Sequence, residues 1–297
     1  MALDQVAHVR SFNRAVTQRI GALNDAYLAR GRPLGASRVL WEIGADGRDA
    51  RSLRSRLDLD SGYLSRLLRT LEREGLVRVE PDAHDRRVRR VRLTEAGGVE
   101  RDVLDRHSDQ LAESLLAPLS DPQRTRLVDA MAVVERLLTA GLVDVAMEDP
   151  GSDAARLCLA SYFAELDARF PTGFDPGQSL PADVDDLVEP AGLLLVARLH
   201  DEPIGCGALK VHGREPAEIK RMWVSEAVRG LGVGRRILGE LEHHAGRHGA
   251  PAVRLETNRT LAEAINLYRS AGFVEVAAFN DEPYADHWFE KALAPGR

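Results

Sequence analysis

The chain has 297 residues, 44% of them hydrophobic, a formal net charge of −6 and two cysteines. That length is long for one core and comfortable for two; two cysteines exclude a disulfide framework and fit a reducing cytoplasm. The longest apolar run, 192–197, is too short to span a bilayer, and the opening MALDQVAHVR lacks the basic-then-apolar layout of a secretion signal.

The charge is uneven. From Arg48 to Arg92 thirteen Arg stand against eight acids, whereas from Asp149 onward sixteen basic residues face twenty-three acids. A basic island in an acidic chain calls for an explanation, although the abundance of Arg alone is weak evidence for nucleic-acid binding. Val9, Phe12, Val16, Ile20, Leu23 and Tyr27 recur at helical spacing, which predicts an amphipathic helix over residues 5–30, ended by Pro33, and a short helix over Ser37–Ile43. The run ARSLRSRLDLDSGYLSRLLRTLEREGLV then reads as two helices, about Ala50–Leu57 and from a cap at Asp60 or Ser61 to Glu74, stopped by Gly75. Leu64, Leu67, Leu68 and Leu71 line one face of the second; Ser61, Tyr63, Ser65, Arg66, Arg69 and Arg73 occupy much of the rest. A helix, a tight turn and a helix with Ser and Arg outward is what a major-groove reader requires. After Gly75 the period becomes two. Val77 and Val79 mark one strand, Val91 and Leu93 another, joined by PDAHDRRVRR with Arg86, Arg87, Arg89 and Arg90 at its tip. Such a basic hairpin suits a minor groove or phosphate backbone. LTEAG leads into a helix through Leu116, and another runs from Asp121-Pro122 to about Thr139.

Residues 5–140 resemble the MarR family of winged-helix regulators, on LDSGYLSRLLRTLEREGLV, the wing DAHDRRVRRVRLTEAG and the long helices at both ends. The wing departs from the family pattern in having His84 in place of its first Arg; Asp85 and Arg87 match. The resemblance implies a DNA-binding and dimerisation domain over 1–140. Ser61, Tyr63, Ser65, Arg66, Arg69, Arg86, Arg87 and Arg89 would meet a palindromic operator in double-stranded DNA, and the terminal helices would form a homodimer.

From Leu142 onward Val143, Val145 and Met147 alternate as a strand. Asp153 is placed to cap a helix burying Leu157, Leu159, Phe163, Leu166 and Phe170, and a long Pro- and Gly-rich loop follows over Arg169–Pro190. GLLLVARLH and PIGCGALKV form a hairpin turned at Asp201-Glu202, with Cys206 in its apolar core, and Ala217–Val224 is a further strand. Then comes RGLGVGRRIL. Its spacing, G-x-G-x-G at Gly230, Gly232 and Gly234, fits neither a dinucleotide fold nor an ATP loop, and the strand before it reads as the last of a hairpin-built set rather than the first of a βαβ unit. Inward amides, the helix start at Val233 and the charges of Arg229, Arg235 and Arg236 nevertheless suit a pyrophosphate. A strand over Ala252–Asn258, a helix and RSAGF follow. HAGRH, with His244 and His248 on one helix face beside His243, lacks the Glu of a zinc HExxH, so a solvated face is expected and no metal.

Residues 141–297 resemble the GNAT N-acetyltransferases, on Arg229–Gly234 and on Leu267-Tyr268 with Gly272-Phe273. The resemblance implies an α/β acyltransferase fold with a mixed, largely antiparallel sheet, acetyl-CoA as co-substrate, and a small primary amine attacking the thioester directly. By the same implication Arg229, Gly230, Leu231, Gly232, Val233, Gly234 and Arg235 hold the pyrophosphate, and Met222, Trp223 and Val224 meet the pantetheine arm, the Val224 amide facing the thioester oxygen. Tyr268 is the acid for the leaving thiolate; Glu218 and Glu256 are rival bases. The family's Asn seven residues before this Tyr is Leu261 here, which leaves Asn258 and Asn266 as candidate contacts. Arg169 and Phe174 in the long loop and His287 on the last strand are candidates for the acceptor site, His287 having a structural role beside Trp288 as its alternative.

The expected molecule is thus a two-domain, cytoplasmic, dimeric fusion with a hinge at Ala140-Gly141: a winged helix-turn-helix regulator that is also an N-acetyltransferase, with ligand occupancy biasing the DNA-binding heads. The alternatives are a transcription factor whose second half senses acyl-CoA or an amine without turnover, and an enzyme whose winged helix only dimerises.

Overall fold

The structure, a computed structural model, describes residues 3–23, 27–82, 85–180 and 182–293. It divides into two compact units, Met1–Met131 and Ala132–Arg297.

The first unit holds α1 (Leu3–Arg19), α2 (Leu34–Ile43), β1 (Arg48–Asp49), α3 (Ala50–Leu57), α4 (Ser61–Arg73), β2 (Val77–Pro81), β3 (Arg89–Leu93), α5 (Glu95–Leu116) and the start of α6 (Asp121–Gly141). The helix predicted over 5–30 stops at Arg19, because Gly21 takes φ +67° and the chain re-forms only one short turn at Tyr27–Ala29. Pro33 does not end that helix. It is the N-cap of α2, where its missing N–H is no loss and its φ of −70° suits the entry. Asp49 caps α3 by accepting from the Ser52 amide, and Asp60, of the two candidates, caps α4 by accepting from the Tyr63 amide, each at 2.8 Å. Leu64, Leu67, Leu68 and Leu71 are buried with Val39, Leu40, Ile43, Leu53, Val91 and Leu104. The small antiparallel sheet runs β1-β3-β2; β1 was not foreseen, two residues being too few to show a period. His84, the departure in the wing, lies outside the described residues.

The division between the units falls inside α6, while the sequence placed a hinge at Ala140-Gly141. The second unit continues with β4 (Asp144–Met147), α7 (Asp153–Arg169), β5 (Gly192–Leu199), β6 (Glu202–Lys210), β7 (Ala217–Val224), α8 (Val233–Arg247), β8 (Ala252–Thr257), α9 (Ala262–Ser270), β9 (Val274–Val276) and β10 (His287–Ala292). Its seven strands lie in the order β4-β5-β6-β7-β8-β10-β9, antiparallel except for β7 beside β8. One face packs on α8 through Leu193, Leu195, Ile237 and Leu241; the other packs on α7 through Leu194, Val196, Cys158 and Cys206, the alternation along β5 serving both.

Three local expectations need correction. Ser152, not Asp153, caps α7, its Oγ accepting from the Ala155 amide at 3.1 Å. The buried face of α7 is Ala155, Cys158 and Leu166, while Leu157 is 52% exposed, because the helix meets the sheet along a narrow stripe of small residues. And β7–α8–β8 is a parallel βαβ crossover after all.

Candidate active site

The parallel pairing of β7 and β8 covers only Ala217↔Val253 and Glu218↔Arg254. A bulge separates β7 from its earlier course: Arg221 and Met222 together oppose Gly207, and Arg221 adopts φ +56°. Beyond it β7 and β8 diverge and the sheet opens. The Ser225 amide donates to Ile204 O at 2.9 Å, so by antiparallel alternation the Val224 amide points away from β6, toward the opening.

A cavity of about 450 Å³ fills this opening, lined among others by Met222, Trp223, Val224, Arg229, Gly230, Gly232, Val233, Gly234 and Arg235. Gly230 (φ +84°) and Gly232 (φ +78°) take left-handed conformations that other residues reach only at a cost, and Gly232 caps α8. The amides of Arg229 and Leu231 are committed to Glu226 O and Val228 O, so within Arg229–Gly234 the open donors are those of Gly230 and Gly232 in the loop and of Val233 and Gly234, joined by Arg235, in the first turn of α8. Leu231 does not line the cavity; its side chain packs against the core. Of the loop arginines, Arg229 is held by Glu165 at 2.6 and 2.7 Å, Arg235 donates to Ser270 Oγ at 2.5 Å, and Arg236 donates to Val143 O. Glu165 was not singled out from the sequence, yet it also binds Arg169 at 3.0 Å and accepts from Trp223 Nε1 at 3.0 Å.

A second, smaller cavity of about 90 Å³ lies beside the first. Tyr162, Leu166, Met222, Leu261, Ala264 and Tyr268 line both. Tyr268 is 5% exposed, and its hydroxyl has no hydrogen-bond partner among the described residues. Burial, with Tyr162 and Glu256 nearby, raises its phenol above the ordinary tyrosine value; burial likewise pushes Tyr162 up to about 12. Glu256 lines the smaller cavity, ion-paired with Lys220 and accepting from Asn280 Nδ2 at 3.3 Å. Phe174 lines it too, stacked on Phe163 at 5.8 Å and close to Tyr284 at 4.7 Å; Arg169 lines the larger one, bridged to Glu263 at 3.0 Å.

Four expected site residues fall elsewhere. Glu218 lines neither cavity. It binds Arg254 at 2.8 Å and Lys220 at 3.5 Å, and although burial raises it, those cations leave it below the usual glutamate value, which suits a structural anion rather than a base. Asn258 reaches the smaller cavity but not the larger: its Nδ2 donates to Tyr284 O at 2.7 Å and its Oδ1 accepts from Thr260, so its amide is spent on holding the loop. Asn266 is exposed on α9 and lines neither cavity. His287 lines neither cavity and pairs through Nδ1 with Glu275 at 2.6 Å. Among the described residues no group of three or more His, Cys, Asp or Glu could hold a metal ion, and no helix is long and apolar enough to cross a membrane.

In the first unit, Ser61, Ser65, Arg66 and Arg69 are exposed along α4, and Arg86, Arg87 and Arg89 are exposed on the hairpin. Tyr63 is half-buried, with the Arg66 guanidinium 5.6 Å from its ring centre. Ser65 Oγ donates to Ser61 O and Arg69 Nε to Ser65 O, whereas Arg66, Arg86, Arg87 and Arg89 form no ion pair among the described residues.

Comparison with known proteins agrees with both halves. The MarR family model matches residues 31–88 and the acetyltransferase (GNAT) family model residues 160–273. The IAA acetyltransferase of Azospirillum brasilense is 34% identical over 143 residues, covering 48% of this chain and 90% of that protein. The N-alpha-acetyltransferase RimI of Mycobacterium tuberculosis is 35% identical over 121 residues, 39% of this chain and 73% of that protein. A GNAT family acetyltransferase from Elizabethkingia anophelis, solved with acetyl-CoA bound, covers 51% of this chain and 99% of its own at 17% identity and a TM-score of 0.37. The chain belongs to the GNAT acetyltransferase family and carries, ahead of that domain, a MarR-family winged-helix region.

Proposed function

We propose that the second unit transfers an acetyl group from acetyl-CoA to a small primary amine, and that the first unit binds double-stranded DNA as a homodimer. The observation that carries the enzymatic reading is the position of Tyr268, on the wall common to the glycine-loop cavity and the smaller one. A group spanning the first cavity and an acceptor in the second would meet there.

The residues fit that co-substrate. The first-turn amides of Val233, Gly234 and Arg235 offer donors to phosphate oxygens. A side chain at Gly234 would approach Leu267 Cδ2 to 3.2 Å, so the loop tolerates little bulk just where an anion must come close. When bound, acetyl-CoA supplies a thioester as the electrophile. The Val224 amide is available to its carbonyl oxygen. Glu256 takes up a proton from the amine, directly or through water, since an ammonium near pKa ~10 cannot attack. Tyr268, kept protonated by its burial, returns a proton to the departing thiolate. Thiol release from acetyl-CoA over an amine panel, beside calorimetric titration of acetyl-CoA, tests this reading. Turnover supports it, binding without turnover favours a sensor, and no binding ends it.

For the first unit, the support is the arginines without ion pairs on α4 and the hairpin, together with exposed apolar residues on α1 and on the part of α6 that belongs to this unit: Val9, Phe12, Val128 and Met131 are 58, 48, 49 and 52% exposed. A second copy of the chain is the occupant we assign to that surface. Gel shift on upstream DNA at two salt concentrations tests DNA binding, with a slope of about −0.9 per neutralised phosphate expected. Sedimentation tests the dimer. Equal operator affinity with and without acetyl-CoA and amine would remove any coupling between the two activities.

A further inference from the structure

We propose that the smaller cavity accepts an amino acid, a molecule bearing a carboxylate beside its amine, and that Arg221 is the residue that selects it; this rests on the acetyltransfer reading above. Two cations stand on the cavity wall. Lys220 is neutralised, by Glu256 and by Glu218 at 3.5 Å. Arg221 forms no ion pair among the described residues. Its guanidinium carbon lies 4.7 Å from the Phe163 ring centre and 5.9 Å from that of Tyr162, and its N–H donors make no hydrogen bond among the described residues, which leaves them for another partner. Arg221 also holds a left-handed φ of +56° at the bulge, a conformation that costs a non-glycine residue and that aims this side chain where a regular strand would not.

The acidic side of the cavity is the complement. Glu282 is buried, and among the described residues its oxygens receive only neutral donors: Ser179 Oγ at 2.9 Å, the Leu180 amide at 2.8 Å and the Tyr284 amide at 3.3 Å. The cavity therefore presents one fixed cation and one fixed anion, neither with an ionic partner, and its match is a zwitterion. A simple monoamine would leave the guanidinium uncompensated, whereas a carboxylate can take two of its parallel N–H donors. In the reaction the ammonium first gives one proton to Glu256, which passes it to solvent. The amine nitrogen then bonds to the acetyl carbon, the carbon–sulfur bond breaks, the nitrogen's second proton leaves toward Glu256, and the thiolate gains one from Tyr268, whose phenolate is reprotonated from solvent, so that one proton is released in all. The acceptor's carboxylate takes no part, so it serves as a handle throughout.

The test uses the full chain and matched triples: α- and ω-amino acids, each beside its carboxamide and its decarboxylated amine. In thiol-release assays the acid should exceed its amide in kcat/KM by about tenfold or more in at least one triple, since a site built to bind a polar group rejects the analogue lacking it. Arg221→Gln should bring that ratio to within about threefold of one, chiefly through KM for the acid, and Arg221→Lys should keep part of it. Melting temperature and acetyl-CoA affinity report whether each variant is folded. The proposal is overturned if amides or amines match the acids in every triple, if no amino acid is accepted, or if Arg221→Gln lowers acid and amide by the same factor. Should the wild type take up no acetyl-CoA, the acetyltransfer reading fails by itself. Calorimetric titration of the same triples against wild type and Arg221→Gln then decides the Arg221 claim, and equal uptake of acid and amide sinks it.

Discussion

Replacing Tyr268 by Phe separates chemistry from packing more cleanly than any other substitution in the site. The ring sits 5.9 Å from Phe273 and 6.1 Å from Phe289, and Phe would keep those contacts. The hydroxyl bonds to no described residue, so its loss orphans nothing, and the stability change should stay below about 1 kcal/mol. At about 2–4 °C per kcal/mol for a unit of this size, the melting temperature should move by no more than about 4 °C. If the phenol protonates the leaving thiolate, kcat should fall by about 10²–10⁴, or roughly 3–5 kcal/mol of barrier. Burial raises the folded phenol above its unfolded value near 10. The stability it contributes is therefore complete below pH ~10 and is lost as pH climbs from there toward the folded value, at up to about 1.4 kcal/mol per pH unit. Tyr268→Phe should accordingly lose less stability than wild type between pH ~10 and ~11. Single-turnover thiol release, acetyl-CoA calorimetry and melting curves at pH ~8 and ~10.5 read all three. A kcat within about threefold of wild type, with acetyl-CoA binding intact, would refute the acid role and leave Tyr268 a core aromatic.

The remaining predictions concern the two glutamates, the bulge and the first unit. Glu256→Gln should lower kcat by about 10² or more, whereas Glu218→Gln should lower melting temperature and leave kcat within a few-fold; the reverse pattern would exchange their roles. Gly207→Ala brings a Cβ to 2.7 Å from both Ile237 Cγ2 and Met222 Sδ, and should cost about 1–3 kcal/mol, or about 2–12 °C by calorimetric scan. In the first unit, Glu100 accepts from Arg30 at 2.9 and 2.5 Å and from Arg32 at 2.5 Å, and these partners, Arg30 foremost, hold its carboxyl below the usual range. Its contribution is present above the unfolded pKa and lost as pH falls through the folded one, so Glu100→Gln should destabilise the unit by about 2 kcal/mol at pH ~7 and flatten its acid sensitivity below pH ~5, as circular dichroism melts would show.

How much of this was legible in the residues follows from the range of the forces involved. The α3–α4 pair and its cap at Asp60, the wing strands, β5 to β7 and the glycine loop rest on local periodicity and turn chemistry, and these can be read along the chain. The loop's second feature, that Arg229 and Leu231 spend their amides while their neighbours keep theirs open, depends on where the short turn at Glu226–Val228 closes. The failures are long-range. Glu218 and Glu256 are indistinguishable as carboxylates on strands, and although Lys220 binds both, only Glu256 lines the cavity where β7 diverges from β8, while Glu218 is turned to Arg254. Glu165, Arg221 and Glu282 come together from positions 56 and 61 apart along the chain, and no spacing announces them; the one available hint is the i,i+4 placement of Glu165 and Arg169 on α7. The parallel crossover escapes the sequence because β5, β6 and β7 follow one another as antiparallel neighbours, which makes β7 look like the end of that set.

The two-residue pairing of β7 with β8 gives this protein an internal sheet edge. Unsatisfied backbone groups that most folds confine to a rim, and blunt there with charge or proline, are here opened in the middle of the sheet. A ligand whose own amide bonds lie along that edge would act as a staple, so purified protein stripped of ligand should self-associate through it and be protected from aggregation when the gap is filled.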